Sequence, residues 1–221
     1  MSTAKFIIRL LTFRLTREEM LSFEHKHLIT GIIGTWLVGM GRYWDDPKAS
    51  LLQHLGMGSV IYIFALAAFI WLIILPFKVE KWSYKNVLTF IALTSFPAIF
   101  YAIPVERFFS ISTANKINVW FLAIVALWRL GLLCFFMDRF TRLSTGTLVT
   151  VTFMPICLII SALTLLNLHH VVFEVMGGIR NPTAHDSSYS VLVVLTLISM
   201  ILAIPLVIAY GVAIYNNRKK K

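Results

Sequence analysis

Charge is scarce in this chain. Only 14% of its 221 residues are Asp, Glu, Lys or Arg, against about 25% in an ordinary soluble domain. The charges also sit between long apolar blocks rather than opposite them at helical spacing, so the blocks lack the polar faces that a water-soluble helical fold needs. Cysteine is almost missing: Cys134 and Cys157 both fall inside apolar blocks, which excludes a disulfide framework or a zinc knuckle. No small-residue cleavage pattern follows the first apolar stretch, so no cleavable signal peptide is expected. No block alternates apolar and polar residues over about ten positions, as the strands of a membrane β-barrel would. Asn181 is followed by Pro182, so it is not a glycosylation acceptor.

What remains is apolar sequence. The chain is 58% hydrophobic with a mean hydropathy of +0.81. Five long runs stand out, at about Leu55–Phe77, Asn86–Pro104, Ile117–Phe136, Gly146–Leu168 and Tyr189–Tyr215. Each is near or above the roughly 20 residues that carry a helix across about 30 Å of hydrocarbon. A sixth run, Leu28 to Gly41, is shorter. Extended through Tyr43 and Trp44 it reaches seventeen residues, with its two aromatic rings placed for the membrane interface.

Basic residues decide whether that short run crosses, because cytoplasmic loops are enriched in them. With six spans, 14 Lys and Arg fall on the side of the termini and 5 on the other, leaving Arg129 within a span; with five spans the division is 10 against 9. The asymmetry favours an all-α, polytopic transmembrane helical bundle with six predicted spans, five if the first short segment is re-entrant. Both termini are then cytoplasmic, and the net charge of +10 reflects topology rather than nucleic-acid binding. The expected organisation is a cytoplasmic amphipathic segment over residues 1–27, a bundle over 28–215 and a basic tail over 216–221. Within the first segment, Lys5 to Lys26 mixes apolar and basic residues as a helix lying on an anionic leaflet would; a helix packed on the bundle reads the same way. Arg14 and Glu18 are spaced to pair on it. In the first span, Gly31, Thr35 and Gly39 recur every four residues and give one small face for close packing.

Arg129 is the most specific candidate. An arginine at the centre of a span costs about 2.5–3.5 kcal/mol on insertion scales, so it should face a partner or a watery cavity. The functional reading is a contact with an anion or a lipid headgroup, or half of a buried ion pair whose partner spacing does not name: Asp138 is nine residues away at the helix end, and Glu106 and Glu174 also lie near membrane edges. The structural alternative is an arginine bonded to helix carbonyls or reaching along the helix to water.

A second candidate is a polar cluster on the non-cytoplasmic side: Asp45, Asp46, His54, His169, His170, Glu174, His185 and Asp186. Such groups could hold a metal if they converged, but no HxxxH or HExxH spacing is present, and no cofactor or metal is expected. "RYWDDP" pairs Asp45 with Asp46, as magnesium sites in lipid-synthesis enzymes do, yet no second acidic cluster accompanies it; a helix-ending turn before Pro47 accounts for the pair. "RNPTAHD", Arg180 to Asp186, matches the R-N-x-x-x-H pattern of HEPN-type ribonucleases over six residues. It falls outside the cytoplasm by the charge count, and Pro182 opposes the helix that motif occupies.

Pro97, Pro155 and Pro205 lie within spans and should kink or open them, with Thr94, Ser95, Thr150, Thr152 or Ser199 available to meet freed carbonyls. Transporters use such broken helices at midplane sites.

The block "VLTFIALTSFPAIFYAIPVERFF", continued by "INVWFLAIVALWRLGLL", runs from Val87 to about Phe140. It resembles the Yip1-like family of small multi-pass membrane proteins, in which a proline-containing helix follows a short basic loop and precedes a tryptophan-containing helix. The resemblance covers about a quarter of the chain and transfers no catalytic residue and no role for Arg129. It implies a non-enzymatic membrane protein with five spans, acting through protein or lipid contacts.

Three functions are carried forward. The first is a non-enzymatic scaffold or accessory subunit, with the lipid bilayer and a protein partner or second copy as its contacts and no nucleic acid. The second is a small transporter or channel using Arg129 and the proline-kinked helices. The third is a membrane-embedded lipid-modifying enzyme using the non-cytoplasmic cluster. The lack of acceptor sequons and long loops points to a bacterial inner membrane.

Overall fold

Among the described residues, five helices are long and apolar enough to cross a bilayer: Met57–Phe77, Tyr84–Arg107, Ser112–Thr141, Thr145–Leu165 and Val193–Lys219. The computed structural model describes residues 2–45, 49–166 and 187–219. It is 82% helix, with no strand among the described residues. The protein is an integral membrane protein built as a helical bundle. Its chain divides into two compact units, Met1–Pro104 with Ile124–Arg142, and Val105–Ala123 with Leu143–Lys221.

The first unit opens with α1 (Thr3–Leu11), started by Ser2, whose hydroxyl accepts from the Lys5 amide. The expected single surface helix over Lys5 to Lys26 is not formed. Phe13 takes a φ of 60°, which breaks the helix, and α2 (Arg17–Leu21) starts afresh from a Thr16–Glu19 capping box. Arg14 therefore lies between helices, and its i,i+4 pairing with Glu18 gives way to an ion pair between Arg9 and Glu19 that ties α1 to α2. Phe6 and Leu10 of α1 are buried, so the segment packs on protein with one face, while Ile8 stays 62% exposed.

The short first run forms α3 (His25–Gly41), seventeen residues long. It begins three residues earlier than the expected span and ends before Tyr43 and Trp44, which lie in the following turn. Its small face is real and wider than the four-residue repeat foretold: Gly31, Gly34, Thr35 and Gly39 are all buried. A methyl at Gly31 would lie 2.8 Å from the Cβ of Ala92, so glycine is what lets α3 approach α6 (Tyr84–Leu93). Thr35 donates to the carbonyls of Gly31 at 2.8 Å and Ala92 at 3.2 Å. The opposite face, with Ile29, Ile33 and Leu37, is exposed, as suits lipid.

After a single turn, α4 (Leu51–His54), the chain enters α5 (Met57–Ile74) through Gly56. Gly56 has a φ of 65°, and a Cβ there would press on the Met40 amide and the Trp36 carbonyl at 2.7 Å; only glycine meets both demands. Trp36 fixes the turn by donating to the Leu55 carbonyl at 2.8 Å.

Pro97 acts as expected, but more strongly. α6 stops at Leu93 and the chain continues as a 3₁₀ helix, Phe96–Ala102. Thr94 and Ser95 both bond the Ile91 carbonyl rather than that of Leu93, the one an amide at position 97 would have met. Below this break lies an aromatic core. Phe136 stacks on Phe90 with centroids 4.0 Å apart, and contacts Phe23, Trp82 and Phe140. Phe90, Phe136 and Phe140 are at most 1% exposed.

The second unit contains the first part of α7 (Ile111–Thr141), α8 (Thr145–Leu165) and α9 (Ser187–Lys219). α8 and α9 run uninterrupted past Pro155 and Pro205. Thr150 bonds the Gly146 carbonyl one turn back at 2.9 Å, whereas Thr152 and Ser161 have buried hydroxyls without a hydrogen-bond partner among the described residues. Thr164 and Thr196 join α8 to α9 through hydroxyls 3.5 Å apart.

Candidate functional site

Arg129, on α7, is half-buried in the first unit, and its guanidinium carbon lies 5.8 Å from the centre of the Tyr62 ring. None of the three carboxylates considered from sequence is shown to meet it. Glu106 accepts a 2.8 Å bond from the Asn118 amide, Asp138 is exposed, and Glu174 lies outside the described residues. Arg42, just past the end of α3, is an electrostatic neighbour of Arg129, Tyr62 and Tyr101.

The chain builds this cluster from four elements of the first unit. α3 ends at Gly41, where Arg42 leaves the helix; Tyr62 lies in the second turn of α5; Tyr101 lies at the end of the 3₁₀ helix. α3 and α5 run in opposite directions through the Gly56 turn, so these three residues share one end of the unit. Arg129 comes from α7, and the tilt of helical side chains toward the helix N-terminus is the direction in which a long side chain there can reach.

Arg42 sits over aromatic faces, 4.8 Å from the Tyr101 ring centre and 5.7 Å from that of Tyr43. A cation over an aromatic ring within about 6 Å is stabilised by roughly 0.5–1 kcal/mol where exposed and about 2 or more where desolvated. The ring faces do not satisfy N–H donors, however. Nε and Nη2 of Arg42 are sealed from solvent and have no hydrogen-bond partner among the described residues. Among the described residues the ion pairs are Arg9–Glu19, Arg17–Glu80 and Lys26–Glu24, and neither Arg42 nor Arg129 takes part in them. Trp44 completes the rim, donating its indole N–H to the Ala102 carbonyl at 3.0 Å.

Arg129 is legible in the sequence as a charge within a span, whereas Arg42 reads there only as a loop charge. The available signal was "RYW", an arginine followed by two interfacial aromatics at the end of a short run. Of the polar cluster expected on the non-cytoplasmic side, only two members lie among the described residues. Asp45 and His54 are half-buried, while Asp46, His169, His170, Glu174, His185 and Asp186, and with them "RNPTAHD", lie outside the described residues. Among the described residues no three His, Cys, Asp or Glu side chains group as metal ligands would.

No family model, curated protein or solved structure matches this chain.

Proposed function

We propose that this chain is a non-enzymatic membrane component, a scaffold or accessory subunit that works through lipid and protein contacts. The observation that carries the reading is α9. Val194, Leu197, Ile201, Ile204, Ile208 and Val212 are each more than half exposed, and the helix is apolar nearly all round. An apolar helix surface this continuous belongs against lipid tails or another apolar helix. The Yip1-like pattern from Val87 to about Phe140 agrees with a role through contacts, and the 14 to 5 division of basic residues supports cytoplasmic termini in a bacterial inner membrane.

Spin labels at Leu197, Ile201, Ile204 and Ile208 in liposomes test this. Access to dissolved oxygen but not to a water-soluble nickel chelate is expected at lipid-facing positions, and protection from both where a protein covers them. Access to the nickel chelate along α9 would mean a water-lined face and overturn the reading.

A small anion transporter is the second reading, favoured by the two electrostatically neighbouring arginines and by the helix break at Pro97. It requires that Arg129→Ala abolish anion flux in liposomes while the protein stays folded. Flux unaffected by that change removes it.

A further inference from the structure

We propose that Arg42 and Arg129 together bind a phosphate-bearing anion at the end of the first unit where α3 stops. This rests on the lipid-contact reading and names the chemistry of one such contact.

Two guanidinium groups cannot escape each other by losing protons, because arginine stays charged in proteins. Here they are electrostatic neighbours, and two N–H-bearing atoms of Arg42 are buried without an acceptor among the described residues. Buried donors left unmet are unfavourable, more so when charged. Tyr43, Tyr62 and Tyr101 offer ring faces to the two cations, which soften the burial but supply no acceptor to the free N–H groups. An oxyanion placed between the two arginines would answer both problems. It would take hydrogen bonds from Nε and Nη2 of Arg42, the forked pair of donors that matches phosphate geometry, and it would neutralise the repulsion with Arg129.

The surroundings favour phosphate as the anion. Tyrosine and tryptophan collect at the level of lipid headgroups, and Tyr43, Trp44, Tyr62 and Tyr101 surround this end of α3. Headgroup phosphates are the abundant anions at that depth, and free phosphate presents the same chemistry from the aqueous side.

The test uses the full chain in a neutral detergent, titrated with inorganic phosphate, dihexanoyl phosphatidylglycerol or dihexanoylglycerol, and followed by thermal unfolding and tryptophan fluorescence. Saturable binding of the phosphatidylglycerol, with none of the phosphate-free lipid, is expected. If inorganic phosphate also binds and competes, the occupant is free phosphate; if it does not, the occupant is a lipid headgroup. Arg42→Gln and Arg129→Gln should each weaken binding by about tenfold or more, the usual worth of a charged hydrogen bond, while Lys5→Gln leaves it unchanged. Should either Gln variant fail to fold, Arg42→Lys and Arg129→Lys retain the charge and lose the fork, and weaker binding is again expected. Absence of binding to both phosphate probes overturns the proposal, as does equal binding by the arginine variants. It also fails if Asp46→Asn destabilises the chain as much as Arg42→Gln and neither phosphate probe stabilises the wild type, for an internal ion pair then fills the site. Failure here with α9 still lipid-exposed removes the anion site and leaves the proposed function standing; nickel access along α9 removes that function whatever binds the arginines.

Discussion

Trp128 donates its indole N–H to the carbonyl of Leu11, 2.9 Å away and 117 residues earlier in the chain. Leu11 ends α1, so its carbonyl is one of those a helix terminus leaves unmet. A residue of α7 thus closes α1. Trp128→Phe keeps an aromatic ring and removes the bond. It should lower stability by about 0.5–1.5 kcal/mol and speed tryptic cleavage at the exposed Arg14, which digestion in detergent reports directly.

Gly31 is required by proximity. A methyl there would meet Ala92 Cβ at 2.8 Å and the Leu93 amide nitrogen at 3.1 Å, and backbone has little room to give. Gly31→Ala should cost about 1–3 kcal/mol as an overpacked core site. Gly58→Ala, whose methyl meets nothing within 4 Å, should stay within about 0.5 kcal/mol of wild type. Denaturant unfolding in mixed micelles separates the two, and equal midpoints would show that α3 and α6 are not held this closely.

Phe136 is the hub of the aromatic core, fully buried and in ring contact with Phe23, Trp82, Phe90 and Phe140. Phe136→Ala is expected to destabilise by about 3–5 kcal/mol, with Phe136→Leu clearly milder. The tryptophan emission of the folded state, through Trp82, should shift in both.

His27 precedes the apolar run of α3 and is 4% exposed. Its ring stacks on Phe6 at 4.2 Å, and Nδ1 accepts from the Glu24 amide at 3.1 Å. Burial holds its pKa below the ordinary histidine range, with Glu24 opposing and Lys26 adding to the effect. The unfolded chain therefore takes up this proton at a higher pH than the folded one. The stability tied to neutral His27 is complete above about pH 6.5, the unperturbed value, and is lost as pH falls below it. Thermal midpoints measured from pH 8 to pH 5.5 should drop on the acid side, and His27→Gln should flatten that limb. An unchanged slope in the variant would assign the acid sensitivity elsewhere.

Membrane crossing by α3 can be read with two labels. In a background of Cys134→Ser and Cys157→Ser, a cysteine at Ser2 and one at Ser50 should react with an impermeant maleimide from opposite sides of the membrane. Labelling from the same side would make α3 re-entrant and reduce the spans to five.

The helical class was legible because apolar runs near twenty residues admit few other folds. The small face of α3 could be read too, since glycine and threonine at four-residue spacing have one physical use in lipid. Three things could not. The break at Phe13 depends on a left-handed residue with no glycine to announce it. Pro97, Pro155 and Pro205 look alike in sequence, yet only at Pro97 does the α-helix give way to a 3₁₀ segment. The electrostatic influence of Arg129 on Arg42 links α7 with the far end of α3, a relation that no local pattern encodes.

The length of α3 has a consequence for the membrane itself. If α3 crosses, as the maleimide labels test, its seventeen residues rise only about 25 Å, some 5 Å short of an average hydrocarbon core. A bilayer meets such a mismatch by thinning around the protein, and thinning would draw lipid phosphates inward at the point where α3 ends, beside Arg42. Acyl-chain length then becomes a control on the protein: nanodiscs of fourteen-carbon lipids should stabilise it more than those of eighteen carbons, and Arg42→Gln should narrow the difference.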